Sequence, residues 1–132
     1  MNQNGVPEKE YKILSKLKGQ PHIVKVFDYF PNTGRLRVPG SIGNLSEYHK
    51  VDEVERANLM TMELCAYGCL FDLIESKGPI SSEYLLKDLF LQICKGVESV
   101  HKVANHAHLD LKLENILIGD DLKLRLCDFG SA

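Results

Sequence analysis

At 132 residues the chain has the length of one domain, and its net charge of −2, 44% apolar content and 26% charged content are those of an ordinary soluble globular protein. That balance gives no basis for bulk attraction to nucleic acid or to a membrane. No basic N-terminal stretch precedes an apolar one, and the cysteines at 65, 69, 94 and 127 form no C-x-x-C pair, so they read as free thiols of a reducing compartment, cytoplasmic or nuclear.

In chain order, residues 1–7 are polar and expected to be frayed. Glu8 to Leu17 has helical periodicity with Ile13, Leu14 and Leu17 on one face, and Gly19 and Pro21 end it. Ile23 to Phe30 is rich in β-branched and aromatic residues and reads as a strand. Residues 31–56 carry two prolines, three glycines and mixed charge, far more chain than adjacent strands need, so they read as an inserted, disordered surface loop, with a partner-docking loop as the alternative. Gly40-Ser41-Ile42-Gly43 within them lacks the Lys-Ser/Thr of a phosphate loop, and Asn44-Leu45-Ser46 is a glycosylation pattern without a secretory route. Ala57 to Leu64 is the next strand, Cys65 to Cys69 a bend, and Leu70 to Ser76 a short helix stopped by Gly78-Pro79. The apolar region from Ala57 to Ile74 is broken by Glu63 and Asp72, which makes it a poor membrane span. Ser82 can cap a long helix running to about His101, with Leu86, Leu89, Phe90, Ile93, Val97 and Val100 as its core stripe and Cys94 expected buried. His101, His106 and His108 do not have the spacing of a zinc site with a clear fourth ligand.

Residues 108–130 organise the rest. A polar loop leads into Ile116-Leu117-Ile118, then the turn residues Gly119, Asp120 and Asp121, then a strand in which Leu122, Leu124 and Leu126 alternate with Lys123, Arg125 and Cys127. A hairpin brings its outer ends together, here Asn115 and Asp128, with Asp110 and Lys112 just upstream. Two carboxylates, an amide oxygen and an ammonium suit Mg²⁺ and phosphate.

Asp110-Leu111-Lys112-Leu113-Glu114-Asn115 followed by Asp128-Phe129-Gly130 resembles the catalytic loop and metal loop of eukaryotic protein kinases. The resemblance implies an incomplete α+β fold of the two-lobed protein-kinase type: residues 1–62 the lower small lobe with the insertion 31–56, residues 63–69 the hinge, residues 70–132 the first part of the large lobe. It implies ATP and Mg²⁺ as cofactors and a protein bearing Ser or Thr as substrate, since Lys112 resembles the serine/threonine class. In that match Asp110 orients the substrate hydroxyl and accepts its proton, and Lys112 stabilises the transferring phosphate. Asn115 and Asp128 hold Mg²⁺. Glu10 stands where a glutamate pairs with the ATP-binding lysine, and Leu14 and Val26 belong to the packed column ending at Phe129. Met62 is the gatekeeper. The backbone groups of Glu63 and Cys65 face adenine, Leu117 is the floor beneath it, and Cys69 or Asp72 lies near the ribose. His108 packs under Phe129.

No Gly-rich phosphate loop or strand lysine precedes Met1, the chain stops at Ser131-Ala132, and Leu109 stands where arginine is usual. The isolated chain is therefore expected to be inactive, as a fragment of a Ser/Thr protein kinase. The alternatives are a pseudokinase or scaffold segment, which would be marked by loss of Asp110, Asn115 or Asp128, and a small-molecule kinase of similar fold, against which Lys112 and Glu114 argue.

Overall fold

The computed structural model describes residues 6–33, 36–38, 52–54 and 57–132. Helix α1 spans Val6–Lys16, so residues 6 and 7 are helical rather than frayed. It presents Ile13 and Leu14 to the core, joined by Leu17 in the turn beyond it, each at most 2% exposed, and Gly19 ends that turn at φ 82°. Strand β1 runs Val26–Thr33, three residues later than expected. Ile23 and Val24 are held elsewhere, as described below. β1 pairs antiparallel with β4 (Ala57–Met62) in the register Val26↔Met62 to Thr33↔Ala57. Its second irregularity falls between Phe30 and Thr33, where Pro31 has no N–H to give to a ladder.

The disordered-loop expectation for residues 31–56 needs correction where residues are described. β2 (Leu36–Val38) pairs antiparallel with β3 (Asp52–Val54) in the register Leu36↔Val54, so the insertion carries a ladder of its own. The Gly40 to Gly43 stretch and Asn44 to Ser46 lie outside the described residues.

Helix α2 (Leu70–Lys77) is capped by the Cys69 sulfur, which accepts the Asp72 N–H at 3.5 Å, and by Gly78 at φ 84°. Helix α3 (Glu83–Ser99) starts at Ser82, whose hydroxyl accepts the Leu85 N–H. It continues as a π-turn over Val100–Ala104, closed by Asn105 in the left-handed region. The core stripe expected on α3 is rotated. Leu89, Ile93, Val97 and Val100 do face the core, but Leu86 and Phe90 are exposed, as is Cys94, and the most buried line runs Gln92, Gly96, Ser99. An apolar stripe broad enough to point two ways cannot say which flank approaches closest. Among the described residues no helix is long and apolar enough to cross a membrane.

What sets the α3 register is the hairpin of β5 (Ile116–Ile118) and β6 (Leu124–Leu126). Leu122 is not part of β6: it sits in the turn at φ 59° and is largely exposed. β6 would otherwise be an open edge, and every polar group along it is taken up. Leu124 N–H donates to the Gln92 side chain at 2.9 Å, and the His22 ring meets Leu124 O at 3.1 Å. Leu126 N–H donates to His22 O and Leu126 O accepts from Val24 N–H, which is why Ile23 forms a parallel bridge to Leu126 instead of joining β1. For the linker to lie this close, α3 must carry no side chain at 96. A Cβ there would meet His22 O and Leu126 Cδ1 at 2.9 Å. Gly96→Ala should therefore destabilise: the helix-propensity gain of about 1 kcal/mol is outweighed by overpacking of about 1–3 kcal/mol. Urea denaturation of the two chains tests this, and a stabilised Gly96→Ala protein would refute the packing account.

Candidate active site

The loop from Asn105 to Asn115 is fixed by side chains more than by a ladder. His108 is 4% exposed; its Nε2–H donates to Cys127 O at 2.9 Å and its Nδ1 accepts the Asp110 N–H at 3.4 Å, a pair of bonds that defines the tautomer. Its ring lies 4.8 Å from that of Phe129, which is fully buried. Leu109 is pushed out, 76% exposed and at φ 63°, a conformation that γ-branched leucine does not favour.

Asp110, Lys112 and Asn115 form one knot. Lys112 Nζ donates to Asp110 Oδ2 at 2.8 Å, and Asn115 Nδ2 donates to the same oxygen at 3.0 Å and to Asp110 O at 2.9 Å. The Lys112 hydrogen bond, foremost, holds the Asp110 carboxyl below its usual range, and the same bond raises the Lys112 ammonium. With its nitrogen committed, the Asn115 side-chain oxygen is the group left to ligate. A short 3₁₀ turn (Leu113–Asn115) delivers Asn115 to β5, and Asn115 O accepts the Cys127 N–H at 3.0 Å, which brings it beside Asp128. Asp128 sits at φ 61°, and its Oδ1 accepts the Gly130 N–H at 3.3 Å. An amide oxygen and one carboxylate fit Mg²⁺, which completes its shell with water and phosphate; among the described residues no group of three or more His, Cys, Asp or Glu could hold a metal.

Glu10 reaches this loop from α1, its Oε1 accepting the Phe129 N–H at 3.0 Å. Burial, the largest influence, raises its pKa, against the lowering effect of that hydrogen bond. A raised carboxyl contributes stability that is present below its unfolded value near 4.5 and lost as pH rises through the folded value. The melting temperature of the wild type should therefore fall relative to Glu10→Gln as pH climbs above that value. Parallel pH profiles would contradict the desolvation.

The other candidate residues line the neighbouring connection. Met62 ends β4 and is 38% exposed. Glu63 is more constrained than the sequence implied: its N–H donates to Lys25 O at 2.9 Å, its Oε1 accepts the Lys25 N–H at 2.8 Å, and Arg125 Nε lies 3.5 Å away. With its N–H taken up, the Glu63 carbonyl is the backbone group of this residue left for a ligand. Cys65 O accepts the Gly68 N–H in a turn, and Gly68 O accepts from Ile118 N–H, docking the turn on β5. Cys69 forms an antiparallel bridge with Leu117, a partly buried residue on the strand face opposite the core. Asp72 is exposed in the first turn of α2. Gln92, His22 and Arg125 were not singled out in the sequence; the one available signal was a glycine inside a helix.

Burial first, then the neighbouring Asp128 charge, pushes the Cys127 thiol up to about 11. A shift of about two units leaves about a hundredfold less thiolate, offset about tenfold by the greater nucleophilicity of the more basic sulfur. Cys127 should therefore be alkylated by iodoacetamide about tenfold more slowly than the exposed Cys94. Site-resolved mass spectrometry decides, and equal rates would refute it.

Set against known proteins, residues 2–132 match the family model for the protein kinase domain. The chain is 34% identical over 135 residues to a probable protein kinase of Dictyostelium discoideum, covering 92% of this chain and 17% of that protein. It is 30% identical over 127 residues to a probable serine/threonine-protein kinase of the same organism, covering 93% of this chain and 14% of the relative. With the maternal embryonic leucine zipper kinase of Danio rerio it shares 35% identity over 124 residues, 87% of this chain and 18% of the relative. The chain thus spans less than a fifth of the length of these relatives.

Proposed function

This chain belongs to the protein kinase domain family, and from that premise we propose that it is the catalytic heart of an enzyme transferring the ATP γ-phosphate to serine and threonine hydroxyls of proteins. Residues 1–62 form the lower small lobe, residues 63–69 the hinge and residues 70–132 the start of the large lobe. The observation that carries the reading is the knot in which Lys112 and Asn115 both bind Asp110 Oδ2. It fixes the carboxylate while directing its other oxygen away from the knot, where a substrate hydroxyl can give up its proton as it attacks phosphorus.

Lys112 lies beside that carboxylate and balances charge on the phosphoryl group. Mg²⁺, held by Asn115 and Asp128, would neutralise the phosphates. The Glu63 carbonyl and the Cys65 backbone receive adenine above Leu117, with Met62 behind, and Cys69 and Asp72 at the ribose rim. Glu10 steadies the metal loop through the Phe129 N–H. The test is transfer of labelled γ-phosphate from Mg-ATP to a Ser/Thr/Tyr peptide mixture by the full-length kinase. Label on Ser and Thr, lost in Asp128→Asn, supports the reading. Label on Tyr, or none with folded wild-type enzyme, overturns it.

A further inference from the structure

A cleft of about 360 Å³ opens between the His22 linker, α3 and the β5–β6 turn. Its floor is the rigid edge of β6, fixed by Gln92 and His22. Its walls carry four cations, Lys25, Lys95, Lys123 and Arg125, against two carboxylates, Asp88 and Asp121.

The pairing inside the cleft is uneven. Arg125 is bound to Asp121 at 2.8 Å and also faces Glu63, so that group is internally balanced. Asp88 accepts from the Gln92 amide at 2.7 Å. Lys25, Lys95 and Lys123 are exposed, and among the described residues none of their ammonium groups has a carboxylate within ion-pair reach. Elsewhere on α3 and the π-turn that follows it the pattern differs, since Lys87 is paired with Glu83 and Lys102 with Glu98. The unpaired lysines thus converge on one concave surface, where low-dielectric walls strengthen their combined field.

We propose that this cleft docks an acidic segment of a protein partner, whose carboxylates complete the ion pairs of Lys25, Lys95 and Lys123. An extended peptide fits a groove between a linker and a helix, and charge complementarity selects its sequence. The surface is separate from Asp110 and Asp128, so the inference does not depend on the catalytic reading and is measured by binding alone.

The experiment is fluorescence anisotropy with a fluorescein-labelled Glu/Asp-rich peptide and the full chain. Saturable binding is expected, weakened about tenfold or more in Lys95→Glu/Lys123→Glu and by added salt. The control Lys87→Glu/Lys102→Glu makes the same change in net charge and should bind as the wild type does. Absence of binding, equal affinity in both double variants, equal loss in both, or tighter binding of a single-stranded oligonucleotide than of the peptide would each overturn the proposal.

Discussion

Asp110→Asn in the full-length kinase is expected to lower kcat by about 10²–10⁴-fold with little change in the KM for ATP. Asparagine keeps the shape of the side chain, and its oxygen can still accept from Lys112 and Asn115, as Asp110 Oδ2 does at 2.8 and 3.0 Å. What it cannot do is take a proton at the other position. On the proposed reading the knot therefore survives while the base is lost, and the deficit falls on the chemical step. The pH profile adds a check. Because Lys112 holds the Asp110 carboxyl below 3.8, protonation of Asp110 should not limit the wild-type rate until the pH falls below the ordinary carboxylate range. A small loss of kcat, or one matched by a large rise in KM, would remove Asp110 from this role.

Phe129→Ala should be the most damaging single change to stability in this region, at about 3–5 kcal/mol. Phe129 is fully buried, and no nearby loop can collapse into its space, because His108 above it is held by Cys127 O and the Asp110 N–H. Set against a usual domain stability of about 5–15 kcal/mol, the variant would sit at the edge of folding. Urea denaturation measures the difference. A loss below about 1 kcal/mol would show that the site relaxes and that Phe129 does not anchor the loop of residues 128–130.

Short-range signals carried most of what the sequence revealed. The apolar face of Ile13, Leu14 and Leu17, the Ser82 cap and the two polar loops around β5 and β6 follow from periodicity and turn chemistry within a few residues. The misreadings were mostly long-range. Ile23 and Val24 have strand composition, but Val24 bonds to Leu126, a hundred-odd residues on. Leu122 continued an alternation that the hairpin ends early, at Leu124, because the turn needs a residue at positive φ. Gln92 and Gly96 look unremarkable in an apolar helix, and only the approach of the His22 linker makes them the buried line. The candidate site residues were legible by motif, but the commitment of both the Glu63 N–H and its carboxylate to Lys25 was not.

That Lys25–Glu63 pair has a mechanical consequence. The chain passes between the β1–β4 ribbon and the helical part twice, just before Val26 and just after Met62, and the two crossings are tied by Lys25 N–H to Glu63 Oε1 and Glu63 N–H to Lys25 O. The first crossing is also fastened to β6 through Val24. Were the ribbon to rock, carrying with it α1, which packs on both strands and stacks Tyr11 on Tyr29 at 5.2 Å, its axis would lie along the line joining residues 25 and 63. Leverage grows with distance from that line, so the far ends of β1 and β4, at Thr33 and Ala57, would sweep furthest. Any load carried on the insertion between them would be applied at the long end of the lever.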